Sequence, residues 1–193
     1  MRVWGGFHTQ SEIFEDAIEM LQEDWFLDEP IEERDEEATA KIISSELAKK
    51  SEAEAQWPAE TDCDRLTRAL EALTATGIVS LENAGYTLSD GWSDYQEVVQ
   101  NEWSEGDLLS PVRGGCFYHQ QDLERAITGG GLDLAFGSVT GEDPDSCKIA
   151  IEIVEQLRAL GFKPEWNGTV GQRIHLPIEW QRRFGPAADP SPR

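Results

Sequence analysis

Two short segments of this 193-residue chain hold most of the side chains that could do chemistry. In FYHQQDLER (117–125), His119 and Asp122 stand three residues apart, with Gln121 between them. A histidine base beside an orienting carboxylate is a common proton-transfer arrangement. In NAGYTLSDG (83–91), Asn83, Tyr86, Thr87, Ser89 and Asp90 place five hydrogen-bonding side chains within eight positions. That is the composition of a ligand-binding loop on a rigid scaffold. A plainer reading is local: Asn and Asp satisfy turn backbone, Asp90 caps the following helix, and Asp122 caps the helix after His119. The ligand reading puts forward Asn83, Tyr86, Asp90, His119, Gln121 and Asp122 as candidate binding residues. No residue is assigned a catalytic role.

The standard catalytic signatures are missing: the sequence has no P-loop, GxSxG, HExxH or GxGxxG pattern. His8, His119 and His175 lie far apart, so any histidine cluster must come from folding. His175 reaches His119 only if their strands are neighbours. Cys63, Cys116 and Cys147 are widely spaced and odd in number, with no CxxC or Cys/His ligand spacing. Neither a metal site nor a cofactor is expected. Unpaired thiols point to a reducing, cytoplasmic setting. The N-terminus lacks the apolar core of a signal peptide, and no run approaches the roughly 18 apolar residues of a membrane span.

The elements that must position these residues can be read from capping and periodicity. Thr9 with Glu12 predicts a helix start, followed by Phe14, Ala17, Ile18, Leu21 and Trp25 at helical spacing. Pro30 opens a second helix to about Lys50. Thr61 with Asp64 opens a third, with Leu66, Ala69, Leu70 and Leu73 as its apolar stripe and Gly77 as its stop. IVSLENAGYTL (78–88) predicts two short strand pieces, and a fourth helix spans about 92–103. Beyond it, a strand at 115–119, a helix at 121–128, a strand at 132–137, a long helix from Asp143-Pro144 to Gly161, and strand pieces at 163–167 and 172–176 complete the pattern. The last two join at Asn167-Gly168. The predicted fold class is α+β: an acidic helical segment over 1–60, then a small mixed sheet with packed helices over 61–184. The Pro-rich 185–193 is expected to be a disordered tail.

Charge narrows the function classes. Acidic residues number 38 against 16 basic, a net charge of −22. Residues 1–64 hold 19 acidic and 5 basic residues, whereas 107–193 hold 12 and 9. A helix followed by a hairpin resembles a winged helix, but the third helix offers DNA only Arg65 and Arg68. Direct nucleic-acid binding is therefore not expected. A basic protein partner is, because an acidic face speeds and selects association with a basic surface. Glu32, Glu33, Glu36 and Glu37, crowding the start of the second helix, are the candidate partner-binding residues; their plainer role is to complement the helix dipole.

Three blocks also carry a resemblance. NAGYTLSDG, then CFYHQQDLERAITGGGLDLAFG, then EQLRALGFKPEWNGTVGQRIHLPIEW resemble an uncharacterised bacterial protein family, a domain of unknown function, over roughly residues 66–183. Where other members of that wider family carry Cys-Cys-x-x-Cys-Gly, this chain has Tyr86 to Gly91, so no metal or redox role carries over. The resemblance implies an α+β domain in a bacterial cytoplasm and no particular reaction. Two function classes follow. The first is a non-enzymatic acidic binding protein, an immunity- or antitoxin-like inhibitor of a basic partner. The alternative is a small enzyme or ligand-sensing domain with a polar cleft around His119 and the 83–91 loop. A purely structural role is the third, bland possibility.

Overall fold

A computed structural model describes residues 1–22, 33–102 and 111–184. It divides into two compact units, one of residues 1–59 with 181–193, the other of residues 60–180. The boundary at 59/60 falls beside the expected 60/61, but the chain after Trp180 groups with the N-terminal unit. The expected tail, 185–193, lies outside the described residues.

The first unit contains α1 (Arg2–Gly5), α2 (Gln10–Gln22) and α3 (Glu33–Glu54). Thr9 and Glu12 form the expected capping box: the Thr9 N–H donates to Glu12 Oε2 at 2.6 Å and the Glu12 N–H to Thr9 Oγ1 at 3.3 Å. The core is small. Val3, Ile13 and Ile43 are buried, with Trp4, Phe14, Ala17, Leu47 and Phe184 packed against them. Lys50 is fully buried; its ammonium donates to the Val3 carbonyl at 3.1 Å and lies 3.5 Å from the centre of the Phe184 ring. Arg182 stacks over Phe7, so the returning chain brings cations into this unit. Counted by unit, the first holds 17 acidic and 8 basic residues, a balance of −9, and the second 21 and 8, a balance of −13. Within the first unit, residues 1–59 hold 16 acidic and 5 basic residues, and the returning 181–193, with one acidic and three basic, offsets part of that excess.

The second unit contains α4 (Asp62–Ala75), β1 (Ile78–Leu81), α5 (Leu88–Glu102), β2 (Gly114–Phe117), α6 (Gln120–Ile127), β3 (Leu132–Ser138), α7 (Asp143–Ala159) and β4 (Ile174–Leu176). The sheet order is β1-β2-β3-β4, with β1 and β2 parallel and the remaining pairs antiparallel. The α+β class is therefore the fold. α4 starts on a capping box in which the Thr61 N–H donates to Asp64 Oδ2 at 2.7 Å, and its stripe Leu66, Ala69, Leu70 and Leu73 is buried. A parallel pair needs a crossover, and the segment carrying α5 supplies it. Trp92 and Tyr95 of α5 lie against the sheet: Trp92 meets Phe117 edge-on at 4.9 Å, and a Cβ on Gly115 would stand 2.4 Å from the Tyr95 ring. On the other face Ile149, Ile153 and Leu157 of α7 are buried, and a Cβ on Gly114 would meet Ile149.

Three expectations need correction. The 78–88 stretch is one strand, not two: Asn83 at φ +52° and Gly85 at φ +60° turn the chain, and a Thr87–Asp90 capping box starts α5 at Leu88 instead of 92. The 163–167 piece is a single bridge between Glu165 and His175, because Pro164 has no N–H to extend a ladder. β2 ends at Phe117 instead of 119, since His119 occupies the N-cap of α6.

Candidate functional site

The polar segments singled out in the sequence meet at the end of β2. The Ala84 N–H donates to the Tyr118 carbonyl at 2.9 Å, the Gln120 N–H to the Gly85 carbonyl at 3.0 Å, and the Gln121 N–H to the Tyr86 carbonyl at 3.4 Å. Residues 84–86 therefore run alongside 118–121. The side chains, however, divide. Tyr86 is 55% exposed, and Gln121 and Asp90 are exposed, with the Asp90 carboxylate turned back onto Thr87. That N–H and hydroxyl, with a smaller contribution from His119, hold the Asp90 carboxyl below its ordinary range. His119 and Asp122 are buried.

His119 and Asp122 belong to a charge network that draws on three elements. His119 Nε2 lies 3.1 Å from Asp122 Oδ2, and the His119 backbone N–H donates to the same oxygen at 3.4 Å. Arg173, just before β4, reaches Asp122 at 2.7 Å and His119 Nε2 at 3.1 Å. Arg125 of α6 donates to Asp122 Oδ1 at 2.9 Å and also reaches Asp133 at 2.9 Å. Asp133 of β3 faces His175 of β4 across the ladder, 2.7 Å from its Nδ1. Close strand approach here needs Gly131, whose Cβ would stand 2.6 Å from the His175 ring. Asp122 is therefore the N3 partner of the cap, while His119 holds the N-cap position expected for Asp122. Burial lowers the His119 pKa; Asp122 opposes the shift, and Arg173 and Arg125 reinforce it. The ring is accordingly neutral near pH 7, and its Nδ1 is buried with no hydrogen-bond partner among the described residues. Burial also pushes the Cys116 thiol up to about 12, which leaves it un-ionised and inert.

Sequence reading missed Arg125, Asp133 and Arg173. The only signal for them was the outward alternation of Arg173 and His175 between Ile174 and Leu176. Among the described residues no group of His, Cys, Asp and Glu side chains is arranged to hold a metal ion, and no helix is long and apolar enough to cross a membrane.

Of the candidate partner-binding residues, Glu36 and Glu37 are exposed on α3. Glu33 opens that helix, and Glu32 lies outside the described residues. Between α2 and α3, Phe14, Ile18, Glu15, Glu19 and Glu36 line an open cleft of about 380 Å³.

The sheet order and the buried ion-pair network define an α+β domain carrying a helical unit with its own small core. Residues 1–184 match the family described as a domain of unknown function (DUF6891), and the chain belongs to that family. The match takes in both units, including the N-terminal residues outside the three sequence blocks. No curated protein and no solved structure matches the chain.

Proposed function

We propose that this chain is a non-enzymatic acidic binding protein of the bacterial cytoplasm, an immunity- or antitoxin-like inhibitor that occupies a basic protein partner. The observation that carries the reading is the α2–α3 cleft. Phe14 and Ile18 give it an apolar floor, and Glu15, Glu19 and Glu36 give it a carboxylate rim. A lysine or arginine side chain matches that pattern, laying its methylenes on the floor and its charge at the rim. The charges around Asp122 are matched internally, which suits a structural strut better than proton transfer.

The second reading, a small enzyme or ligand sensor around His119, draws support from the unpartnered Nδ1 and from the backbone bonds that bring 84–86 to 118–121.

The test is binding kinetics against the basic protein that co-purifies from the native cell, at several salt concentrations around 0.15 M, where the Debye length is about 8 Å. Replacing Glu32, Glu33, Glu36 and Glu37 by Gln should slow association more than it speeds dissociation, because exposed charges act mainly by steering. A salt-independent on-rate, or an unchanged one in the quadruple variant, overturns the reading and favours the pocket-based alternative.

A further inference from the structure

The loop between α7 and β4 carries the one Asn-Gly dipeptide of the sequence, Asn167-Gly168. An asparagine side-chain amide can be attacked by the backbone nitrogen of the next residue, most readily when that residue is glycine and no Cβ shields the nitrogen. In a folded chain the outcome depends on what binds that nitrogen and what binds the amide oxygen.

Elsewhere the nitrogen is committed. After Asn83, the Ala84 N–H donates to the Tyr118 carbonyl at 2.9 Å, and in Asp90-Gly91 the Gly91 N–H donates to the Thr87 carbonyl at 3.0 Å. Asn101 lies inside α5. Gly168 differs. Asn167, Gly168 and Thr169 are exposed, and the Gly168 N–H donates to no group among the described residues. A Cβ at Gly168 would meet nothing within 4 Å, so solvent has open access to this backbone.

The amide oxygen, by contrast, is held. Asn167 Oδ1 accepts from the Thr169 N–H at 3.0 Å and from the Thr169 hydroxyl at 2.9 Å. Two donors on a carbonyl oxygen polarise its carbon and stabilise the negative charge that develops there when a nucleophile adds. Thr169 is fixed in turn: the Trp166 indole N–H is shared between the Thr169 carbonyl at 2.9 Å and the Gln172 carbonyl at 3.1 Å, and the Trp166 ring meets Phe136 edge-on at 5.6 Å. An unencumbered nucleophile, an electrophile and two placed oxyanion donors thus stand in three consecutive residues.

We propose that Asn167 is a self-modification site, at which the folded chain converts its own asparagine to aspartate and isoaspartate through a cyclic imide, with Thr169 as the oxyanion donor. The Gly168 nitrogen gives its proton to solvent hydroxide and bonds to Asn167 Cγ. The Cγ–Nδ2 bond breaks, and Nδ2 leaves as ammonia with a proton taken from water. Water then opens the imide at either carbonyl. One water is consumed, one ammonia is released, and nothing is oxidised or reduced. The product places a negative charge, and in the isoaspartate form an extra main-chain methylene, inside the clasp that Trp166 closes. Gln172 of that clasp precedes Arg173, which reaches Asp122. The reaction needs no partner, so it stands or falls separately from partner binding.

The experiment is incubation of the full chain near neutral pH, folded and in urea, followed by peptide mass mapping, ammonia release and enzymatic detection of isoaspartate. Conversion in the folded chain is expected at Asn167 alone, matched by released ammonia and faster as pH rises. Thr169→Val should slow it several-fold in the folded chain and leave the rate in urea unchanged, and Thr169→Ser should restore it. Asn167→Gln should abolish the product. In the wild type the Trp166 indole N–H resonance should shift in step with conversion, a readout that depends on no variant. Conversion only in urea, equal conversion at Asn83 or Asn101, or equal slowing by Thr169→Val with and without urea would each overturn the assignment.

Discussion

Among the described residues each unit buries one full charge, and the two are held in different ways. In the 60–180 unit Asp122, 1% exposed, is met by two guanidiniums and lies beside His119. In the N-terminal unit Lys50, 0% exposed, donates to a main-chain carbonyl, lies over an aromatic ring and has Glu54 at 3.6 Å. Asp122 ties α6 to the chain entering β4 through opposite charges. Lys50 ties α1 to α3 and Phe184 largely through its stem, one neutral acceptor and a ring face. The first arrangement depends on charge; the second depends on volume. At these two buried sites, a charge network joins distant elements in the larger unit and a long side chain does so in the smaller.

The largest effect should come from breaking the charge-dependent arrangement. Asp122→Ala leaves Arg125, Arg173 and His119 facing one another around a vacated site. Losing one partner of a buried ion pair typically costs about 3–5 kcal/mol. The lower end is expected, because Arg125 and Arg173 are partly exposed and both also reach Asp133. Chemical denaturation, with amide exchange at β3 and β4 identifying the affected unit, measures this. Asp122→Asn keeps the shape and loses the charge, so it should recover only a minor part of the loss. Full recovery by Asn would show that shape, not charge, holds the network.

Lys50 should respond the other way. Lys50→Ala removes a buried stem and should cost about 2–4 kcal/mol, the range for truncating a long core side chain. Lys50→Met refills most of that volume and should cost less than about 1.5 kcal/mol. Protection of the α1 and α3 amides reports the change in that unit. If Met proves as damaging as Ala, the Val3 carbonyl and Glu54 need the ammonium, and the two buried charges are alike after all.

The sequence showed what is local and hid what depends on register. Thr61 with Asp64 and the stripe Leu66–Leu73 are signals contained within a few residues, and each lies where the spacing places it. His119 and Asp122, three apart, were legible as a pair for the same reason. Arg125, Asp133 and Arg173 were not, because Asp133 meets His175 only through the β3–β4 register, and Arg173 reaches Asp122 across 51 residues. The false second strand after Gly85 arose because Tyr86 and Thr87 have strand propensity, yet Asn83 and Gly85 take positive φ and Thr87 caps a helix.

The smallest effect expected is a titration, and its sign follows from burial. His119 has its pKa lowered below the ordinary value of about 6.5, first by desolvation and then by Arg173 and Arg125, with Asp122 and Asp133 opposing. Between the lowered folded value and 6.5 the unfolded chain binds a proton at this position and the folded chain does not. Stability from the neutral ring is therefore complete above about pH 6.5 and is lost as pH falls toward the folded value. Thermal unfolding between pH 7.5 and 5.5 should show a declining midpoint, and His119→Asn, which keeps an N-cap side chain, should flatten that decline. The window lies above the range in which Glu152 and Asp145, both lowered by hydrogen bonds to cations, lose their charge, and the difference between wild type and His119→Asn separates His119 from His8 and His175. An unchanged slope in His119→Asn would mean that Asp122 compensates the protonated ring in full. The network would then tolerate charge on His119, and its difference from the Lys50 site would rest on Asp122 alone.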